Sequence, residues 1–265
     1  ASRSLYMDGN ATIIAANKLL AAMRKEDGTL RTYDEMKAEG IETKYLGRYE
    51  TNTTPGLCRL DPNTGIGDPT PAFTYCLNLA EVEVDTKTGK TTVLKFTCVD
   101  FVGRIGNIDA VNGQAYSGIM HGIGFALKED YADVKKHANM FGAGTSYIKD
   151  VPDDINLIHI DGAISDGPFG SSGASEAFQA SGHCAVLNGI YNACGVRIHE
   201  IPALPEKVKA GLDAIAKGEK PYEPKKYFLG SDMYEELENI KENPVQVGTQ
   251  SFYVSLDDPT AERPF

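Results

Sequence analysis

The sequence predicts a mixed α+β fold, the class in which helices pack on mixed sheets, and three observations predict it. Apolar residues recur with a helical period of about 3.6 residues in some segments, and they alternate with polar residues in others. Turns rich in glycine and proline separate these segments, and no internal repeat links them. Helices and strands are therefore mixed along one chain.

The first two predicted elements are a helix and a hairpin. In "ATIIAANKLLAAMRKEDG" apolar residues recur at spacings of three and four between Ile13 and Met23, which is typical of one helical stripe. Asp8 or Asn10 would cap this helix. Residues 40–75 lack periodicity and are expected to be mostly loop. In "LAEVEVDTKTGKTTVLKFTCVDF" apolar and acidic residues then alternate beside a turn, so we expect two antiparallel strands.

The second half of the chain is predicted to be mainly helical. A helix is expected over "DAVNGQAYSGIMHGIGFALKEDY", and its four glycines cost about 1 kcal/mol each relative to alanine, so close packing against another backbone or a ligand should offset them. The strand "INLIHID" and a helix ending at Gly195 follow. The strand "VRIHEI" and a helix from Pro205 to Gly218 come next. We expect residues 1–215 to form one domain and the charged residues 216–265 to form a surface arm.

Composition limits the partners and the compartment. The chain has 265 residues and a formal net charge of −11, which argues against nucleic acid and anionic membranes as partners. No signal peptide and no apolar run of membrane-spanning length is present. Five widely spaced cysteines without a C-x-x-C pair indicate buried reduced thiols and a cytoplasmic protein.

The loop "GPFGSSGASEAF", residues 167–178, is the main candidate for chemistry, and local sequence leaves two interpretations open. In the first, it is a glycine-rich turn, and Glu176 is a first-turn helix residue favoured by the helix dipole. In the second, backbone N–H groups at the helix N-terminus hold an anionic ligand. The Glu176 carboxylate would then act beside them as a general base.

Two other patterns carry less weight. The five histidines lack the spacing of a zinc site. The segments "SYIK" (146–149) and "KTG" (87–89) are similar to the S-x-x-K and K-T-G boxes of serine enzymes that recognise penicillin. Their order is reversed, however, and KTG lies in a predicted turn. A serine-acylating enzyme is therefore the weakest hypothesis.

The order of several segments resembles a known family. "ASRSLYMDGNA", "AEVEVDTKTGKTTV", "NGQAYSGIMHGIGFALKED", "VKKHANMFGAGTSYIKDVPDDINL", "DGPFGSSGASE" and "ACGVRIHEIPALPEKVKAGL" follow one another as in the C-terminal part of the molybdenum-binding subunit of molybdenum hydroxylases. This family comprises xanthine dehydrogenases and aldehyde oxidoreductases, and the bacterial aldehyde oxidoreductases are most similar in appearance. The resemblance spans about residues 1–215, and the combination is specific although no single segment is.

The resemblance implies an oxidoreductase. Such enzymes oxidise an aldehyde or an N-heteroaromatic, xanthine-like substrate by hydroxylation at molybdenum with oxygen derived from water, and a glutamate beside the metal is the general base. The matching residue is Glu176, which makes it the candidate catalytic residue. One acid beside the metal is what base-assisted attack requires. Because the sequence has G-A-S-E-A-F where many relatives have G-V-G-E, the substrate's identity does not carry over.

The resemblance also implies a set of cofactor contacts. The cofactor is molybdopterin, in its cytosine dinucleotide form, and its dithiolene holds molybdenum without a metal-ligating side chain. Gln114 matches a glutamine that donates hydrogen bonds to the pterin or to a molybdenum ligand, and Asn107 lies in the loop before the same helix. Two short stretches would hold the pyrophosphate and pterin and bring the backbone close to the metal's ligands: Ser2, Arg3, Ser4 and Leu5, and Ser172, Gly173, Ala174 and Ser175.

Other parts of such enzymes are missing from this sequence. No cysteine has the spacing of an iron–sulfur ligand set, so the [2Fe–2S] clusters, and FAD where it occurs, would lie elsewhere in the complex. We expect a fragment, a split subunit or a cleaved piece that is inactive alone. Its partners would be the N-terminal part of the molybdenum subunit and the iron–sulfur portion, and a homodimer of the complex remains open. The alternative is a non-catalytic structural or assembly subunit that retains the fold.

Overall fold

A three-stranded sheet underlies the computed structural model of the chain, which describes residues 2–51, 70, 72–133, 135–164, 166–219 and 242. The chain divides into two units, Ala1–Tyr222 and Glu223–Phe265, and the helices and strands given below lie in the first. The predicted arm lies almost entirely outside the described residues, and so does Cys58. No helix within the described ranges is both long enough and apolar enough to cross a membrane.

The sheet contains the predicted hairpin and one further strand. β1 (Tyr75–Val84) and β2 (Thr91–Phe101) are antiparallel, and β3 (Asp154–His159) lies parallel to β2 on its other side. The alternation along β1 packs Ala80 and Val82 against the core, while the acidic residues point to the opposite face. The predicted hairpin and the short strand after it are confirmed.

Helices accompany the sheet in the described part of the chain. They are α1 (Ser4–Met23), α2 (Tyr33–Ala38), α3 (Ile108–Leu127), α4 (Ser175–Ala180), α5 (Gly182–Cys194) and α6 (Pro205–Ala216). Short 3-10 turns occur at Ile148–Asp150 and Pro168–Gly170. Because these helices and a mixed sheet form one unit, the predicted α+β class is confirmed.

The core lies between the sheet and the helices α3, α4 and α5. Phe96 and Cys98 of β2 are fully buried in one cluster with Ile119 of α3, Phe178 of α4 and Val186 of α5. Burying an apolar side chain of the larger kind contributes about 1.5–3 kcal/mol relative to leaving it in water. This packing fixes α3, whose N-terminal half reaches the candidate site.

The glycines of α3 allow close contact with α4 and α5. A Cβ at Gly118 would lie 2.6 Å from the Cβ of Phe178, and one at Gly122 would lie 2.9 Å from the Cα of Gly182. A Cβ at Gly113, by contrast, would meet nothing within 4 Å. The expectation of close packing therefore holds for Gly118 and Gly122, whose neighbours are protein atoms.

The first helix begins earlier than the sequence predicts. It starts at Ser4, after Arg3 in the N-cap position, so Asp8 and Asn10 lie inside it. Asn10 donates its side-chain amide to the carbonyl of Tyr6, one turn back, instead of capping the helix. Tyr6 is the one buried residue of α1. Of the predicted apolar stripe, Ile13 and Met23 are half-buried, whereas Ala16 and Leu20 are exposed.

Two further expectations are wrong, and tertiary contacts explain both. Residues 196–201 form no strand in the described structure, because Val196 is buried against Gly211 of α6 instead of pairing with the sheet. The third predicted helix is broken at Ser181 into α4 and α5. At the break, Ser181 Oγ accepts a hydrogen bond of 2.9 Å from Asn78 Nδ2 of β1. Local periodicity does not show either contact.

The cysteines match the expected reduced thiols in part. The four in the described ranges are free, and Cys98 is fully buried with its Sγ 3.4 Å from the Sγ of Cys76. Cys184 is exposed, so the expectation of burial is wrong for this residue. It lies two residues from the buried Val186 of α5, and residues at that spacing point to opposite sides of a helix.

Candidate functional site

A groove of about 490 Å³ opens where three distant segments of the chain meet: the start of α1, the connection from β2 into α3, and the loop before α4. Its lining residues are Ser2, Ser4, Leu5, Val102, Arg104, Ile105, Gly106, Asn107, Ala110, Val111, Gln114, Ser172, Gly173, Ala174 and Ser175. Every residue predicted to contact the cofactor is in this set except Arg3. Arg3 lines a neighbouring cavity of about 170 Å³, which shares Ser2, Ser172 and Gly173 with the groove.

Hydrogen bonds join the loop before α4 to the connection after β2. Ser172 N donates to Val102 O at 3.2 Å, and Arg104 N donates to Gly170 O at 2.8 Å. Ser171 Oγ donates to the carbonyl oxygen of Arg104 at 2.6 Å. Gly170 has a φ of +85°, a left-handed conformation that glycine adopts without a steric cost. The glycine-rich loop is therefore a fixed wall of the groove.

Ser2 and Gly173 link the start of the chain to the same loop. A Cβ at Gly173 would overlap the carbonyl oxygen of Ser2, so a larger residue would displace one of the two segments. Ser2 Oγ accepts a hydrogen bond of 3.0 Å from Glu176 N. It thereby satisfies an N–H group in the first turn of α4, which has no local side-chain cap. Ser2 is thus the neighbour that requires glycine at 173. The close approach of this stretch to the metal's ligands, which the family resemblance implies, stays a prediction.

Glu176 lies in the first turn of α4, at the margin of the groove and next to the lining residue Ser175. Its side chain is exposed, and no described residue forms an ion pair or side-chain hydrogen bond with its carboxylate. A carboxylate whose oxygens are not engaged by neighbouring groups can accept a proton from a bound molecule. The predicted base is thus next to the groove, and its catalytic role stays a prediction.

Asn107 and Gln114 reach the groove from α3. Asn107 is the N-cap of this helix, and its Oδ1 accepts a hydrogen bond of 3.0 Å from Ala110 N. This capping role is sufficient to explain why position 107 is an asparagine, without a contact to a cofactor. Gln114 is exposed on the groove side of α3, and no described group is hydrogen-bonded to its amide. Its donors are free for a ligand.

Arg104 is a groove residue that sequence reasoning missed. It is the one charged residue lining the groove within the described ranges, and no described acid pairs with its guanidinium. The available signal was a cation between two glycines in "VGRIG", at a strand-to-helix connection.

Ser172 adds a hydroxyl to the groove. It is only 8% exposed, and its hydroxyl has no hydrogen-bond partner among the described residues. A cation, hydroxyls and an amide suit an anionic ligand that also accepts and donates hydrogen bonds.

The competing serine motif gains no support from the structure. Ser146 is buried beside Gly124 of α3, whereas Gly89 of the K-T-G segment sits in the hairpin turn and contacts α6 at Pro205 and Lys209. The two boxes therefore pack against different helices. No group of three or more His, Cys, Asp or Glu side chains in the described ranges is arranged to hold a metal ion.

Comparison with known proteins identifies the family. Residues 1–152 match the family model of the molybdopterin cofactor-binding domain, which is more than half of the chain. The chain belongs to this family. The match includes α1, the hairpin and α3, and hence two of the three segments that line the groove. The resemblance to molybdenum hydroxylases is confirmed.

Individual relatives agree with the family. The chain is 43% identical over 213 residues to the aldehyde oxidoreductase of Megalodesulfovibrio gigas, which is 80% of this chain and 23% of that protein. The solved structure of the Desulfovibrio gigas aldehyde oxidoreductase matches with a TM-score of 0.77 over the same shares of the two chains. A probable hypoxanthine oxidase of Escherichia coli K12 is 30% identical over 56% of this chain and 16% of its own length. The chain thus spans about a quarter of such relatives or less.

Proposed function

We propose that this molybdopterin-binding domain works in a molybdenum hydroxylase, with the groove as the cofactor site and Glu176 as the general base. The observation that carries the proposal is the convergence of three distant segments on one groove, lined by all the predicted contacts but Arg3. The substrate class is an aldehyde or an N-heteroaromatic compound. The high identity to proteins named aldehyde oxidoreductase favours the aldehyde.

The groove fits molybdopterin in size and in chemistry. Its volume of about 490 Å³ lies within the range of about 300–1,000 Å³ that small-molecule and cofactor sites occupy. Two 20-residue helices, α1 and α3, present their N-termini to it, where unpaired N–H groups favour anions such as phosphate. Gln114, Ser172 and Arg104 supply an amide, a hydroxyl and a cation. The cytosine dinucleotide form of the cofactor is part of the proposal.

The chain's own residues would orient the cofactor and move a proton. The molybdenum cofactor, when bound, supplies the redox centre for the two-electron oxidation. Gln114 and Ser172 hold the ligand in the groove through hydrogen bonds. Glu176 accepts the proton that water loses as its oxygen is transferred to the substrate carbon. Because Glu176 N donates a hydrogen bond to Ser2 Oγ, the contact between the start of the chain and the loop also fixes the backbone that carries the base.

Metal analysis of the protein purified from its native source tests this function. We expect about one molybdenum atom per copy of the chain, together with a pterin that is released on denaturation. A structural or assembly subunit would be folded but free of molybdenum and pterin. That result would contradict the proposal and favour the non-catalytic alternative.

The remaining polypeptide of the enzyme is the proposed partner, and the uncovered face of the sheet is the proposed contact. Tyr75, Leu77 and Leu79 alternate along β1 with exposures of 65%, 63% and 57%, on the face opposite α3 and α5. Ile158 of β3, which is 45% exposed, lies on the same face two strands away, and Val99 of β2 lies between it and Leu77. We call these four residues the outer sheet face. Contiguous exposed apolar residues of this size are typical of an interaction surface.

Leu77→Glu tests the outer sheet face in the protein from its native source. If the face is buried against the remaining polypeptide, the new carboxylate loses its hydration. We then expect the midpoint of thermal unfolding to fall by several degrees, which corresponds to a loss of about 2 kcal/mol in unfolding free energy. Glu83→Gln, on the same strand and the same face, is the matched control and should leave the midpoint unchanged. If Leu77→Glu also leaves the midpoint unchanged, this face is exposed to water and the proposed contact is wrong.

A further inference from the structure

Three polar side chains from three different elements form one hydrogen-bonded chain. Asp100 lies near the end of β2, His159 ends β3, and Asn112 lies in the second turn of α3. His159 Nδ1 is 2.7 Å from Asp100 Oδ2, and His159 Nε2 is 2.8 Å from Asn112 Oδ1. We call this set the Asp100–His159–Asn112 network.

The network is withdrawn from water. Asp100 is 1% exposed, and the side chain of His159 is 12% exposed. Burial raises the pKa of Asp100, and the hydrogen bond and charge of His159 oppose that rise. Asp100 Oδ1 has no hydrogen-bond partner in the described part of the chain, where His159 is the group that holds this carboxylate. A buried polar network is stable only while its geometry is kept, because each lost bond leaves a polar atom without a partner.

The His159 ring faces an oxygen on each side. Nδ1 lies within hydrogen-bond distance of a carboxylate oxygen, and Nε2 lies within hydrogen-bond distance of a side-chain amide. A ring N–H that donates to a carboxylate makes a charge-assisted hydrogen bond, which is stronger than one between two neutral groups. The network therefore ties β2, β3 and α3 together at fixed separations.

Both ends of the network are close in sequence to the groove. Val102, two residues after Asp100, lines the groove and accepts a hydrogen bond from Ser172 N. Asn112 lies between Val111 and Gln114, which also line it. The three network residues are absent from the lining. Any effect they have on a ligand must pass through the backbone segments that they hold.

We propose that the Asp100–His159–Asn112 network is a positioning device for the groove, which sets where Gln114 and the connection after β2 stand when the cofactor binds. The inference rests on the proposed function, because it concerns the hold on molybdopterin. Residues that orient a metal site from behind its direct contacts typically change affinity or activity by about 10- to 100-fold when they are replaced.

Asn112→Leu tests the proposal in the whole enzyme, this chain together with its remaining polypeptide, expressed in a host that makes the molybdenum cofactor. The variant removes the oxygen opposite His159 Nε2, and we expect molybdenum and pterin retained per folded molecule to fall at least about tenfold. Asn112→Asp keeps an oxygen acceptor and should restore retention. The matched control is Asn192→Leu, a change at an exposed asparagine on α5. Where Asn112→Leu yields no folded protein, Asn112→Ala replaces it with the same expected loss.

The outcomes separate this inference from the proposed function. If the unaltered protein and Asn112→Leu retain equal molybdenum per folded molecule, the network only stabilises the fold and the inference is wrong. The same holds if Asn112→Asp loses as much cofactor as Asn112→Leu. An unaltered protein that holds neither molybdenum nor pterin would contradict the proposed function itself, and the inference with it.

Discussion

Replacing Glu176 by glutamine is expected to lower kcat by about 10²- to 10⁴-fold, the usual contribution of a general base. Glutamine has nearly the same shape, but its amide cannot accept the proton that the carboxylate accepts. The fold should not change, because the structural bond of this residue is made by its backbone N–H to Ser2 Oγ. Molybdenum content and the thermal midpoint should therefore match those of the unaltered protein, while turnover of an aldehyde falls by that factor.

Glu206→Gln is the matched control for this experiment. Glu206 occupies the first turn of α6, as Glu176 occupies the first turn of α4, and both are exposed. A role limited to the helix dipole would make the two substitutions equivalent, each changing stability by about 0.3–1 kcal/mol without a change in kcat. That outcome would restore the simple-turn interpretation of the loop and refute the catalytic role of Glu176.

Gly173→Ala is expected to have the second largest effect, on cofactor content rather than on the chemical step. The added Cβ would overlap the backbone carbonyl oxygen of Ser2, and no rotamer change can relieve the overlap, because the backbone fixes the position of a Cβ. Either the start of α1 or the loop before α4 must shift, which opens the groove between them. We expect molybdenum per chain to fall at least about tenfold, as for other residues that orient a metal site, and unfolding free energy to fall by about 1–3 kcal/mol.

Gly113→Ala distinguishes a local clash from a general effect of adding a methyl group. Gly113 lies in α3 next to Gln114, and a Cβ there would meet nothing within 4 Å. Alanine should stabilise this helix by up to about 1 kcal/mol and leave molybdenum content unchanged. Normal cofactor content in Gly173→Ala would show that Ser2 and the loop can separate without opening the groove.

Local sequence was sufficient to predict a structural element wherever residues that are neighbours in the chain determine its conformation. The alternation on both sides of the "DTKTGK" turn predicts the hairpin, since side chains in a strand point to opposite faces in turn. Gly195 ends α5 with a φ of +77°, and Pro205 opens α6, as expected from the conformations that these two residue types favour. The family resemblance, carried by the order of segments, predicted most of the groove's lining as well.

The features that the sequence did not predict depend on residues that are far apart in the chain. Ser2 and Glu176 are 174 positions apart, yet one hydrogen bond joins them. Asp100, Asn112 and His159 carry no distinguishing signal in their own segments. Only the pairing of β3 with β2 beneath the N-terminal half of α3 makes them a network. Periodicity and turn chemistry report local conformation, which is why they predict elements. Which side chains share a groove is decided by packing between elements, because that packing sets the distances across which hydrogen bonds and charges act.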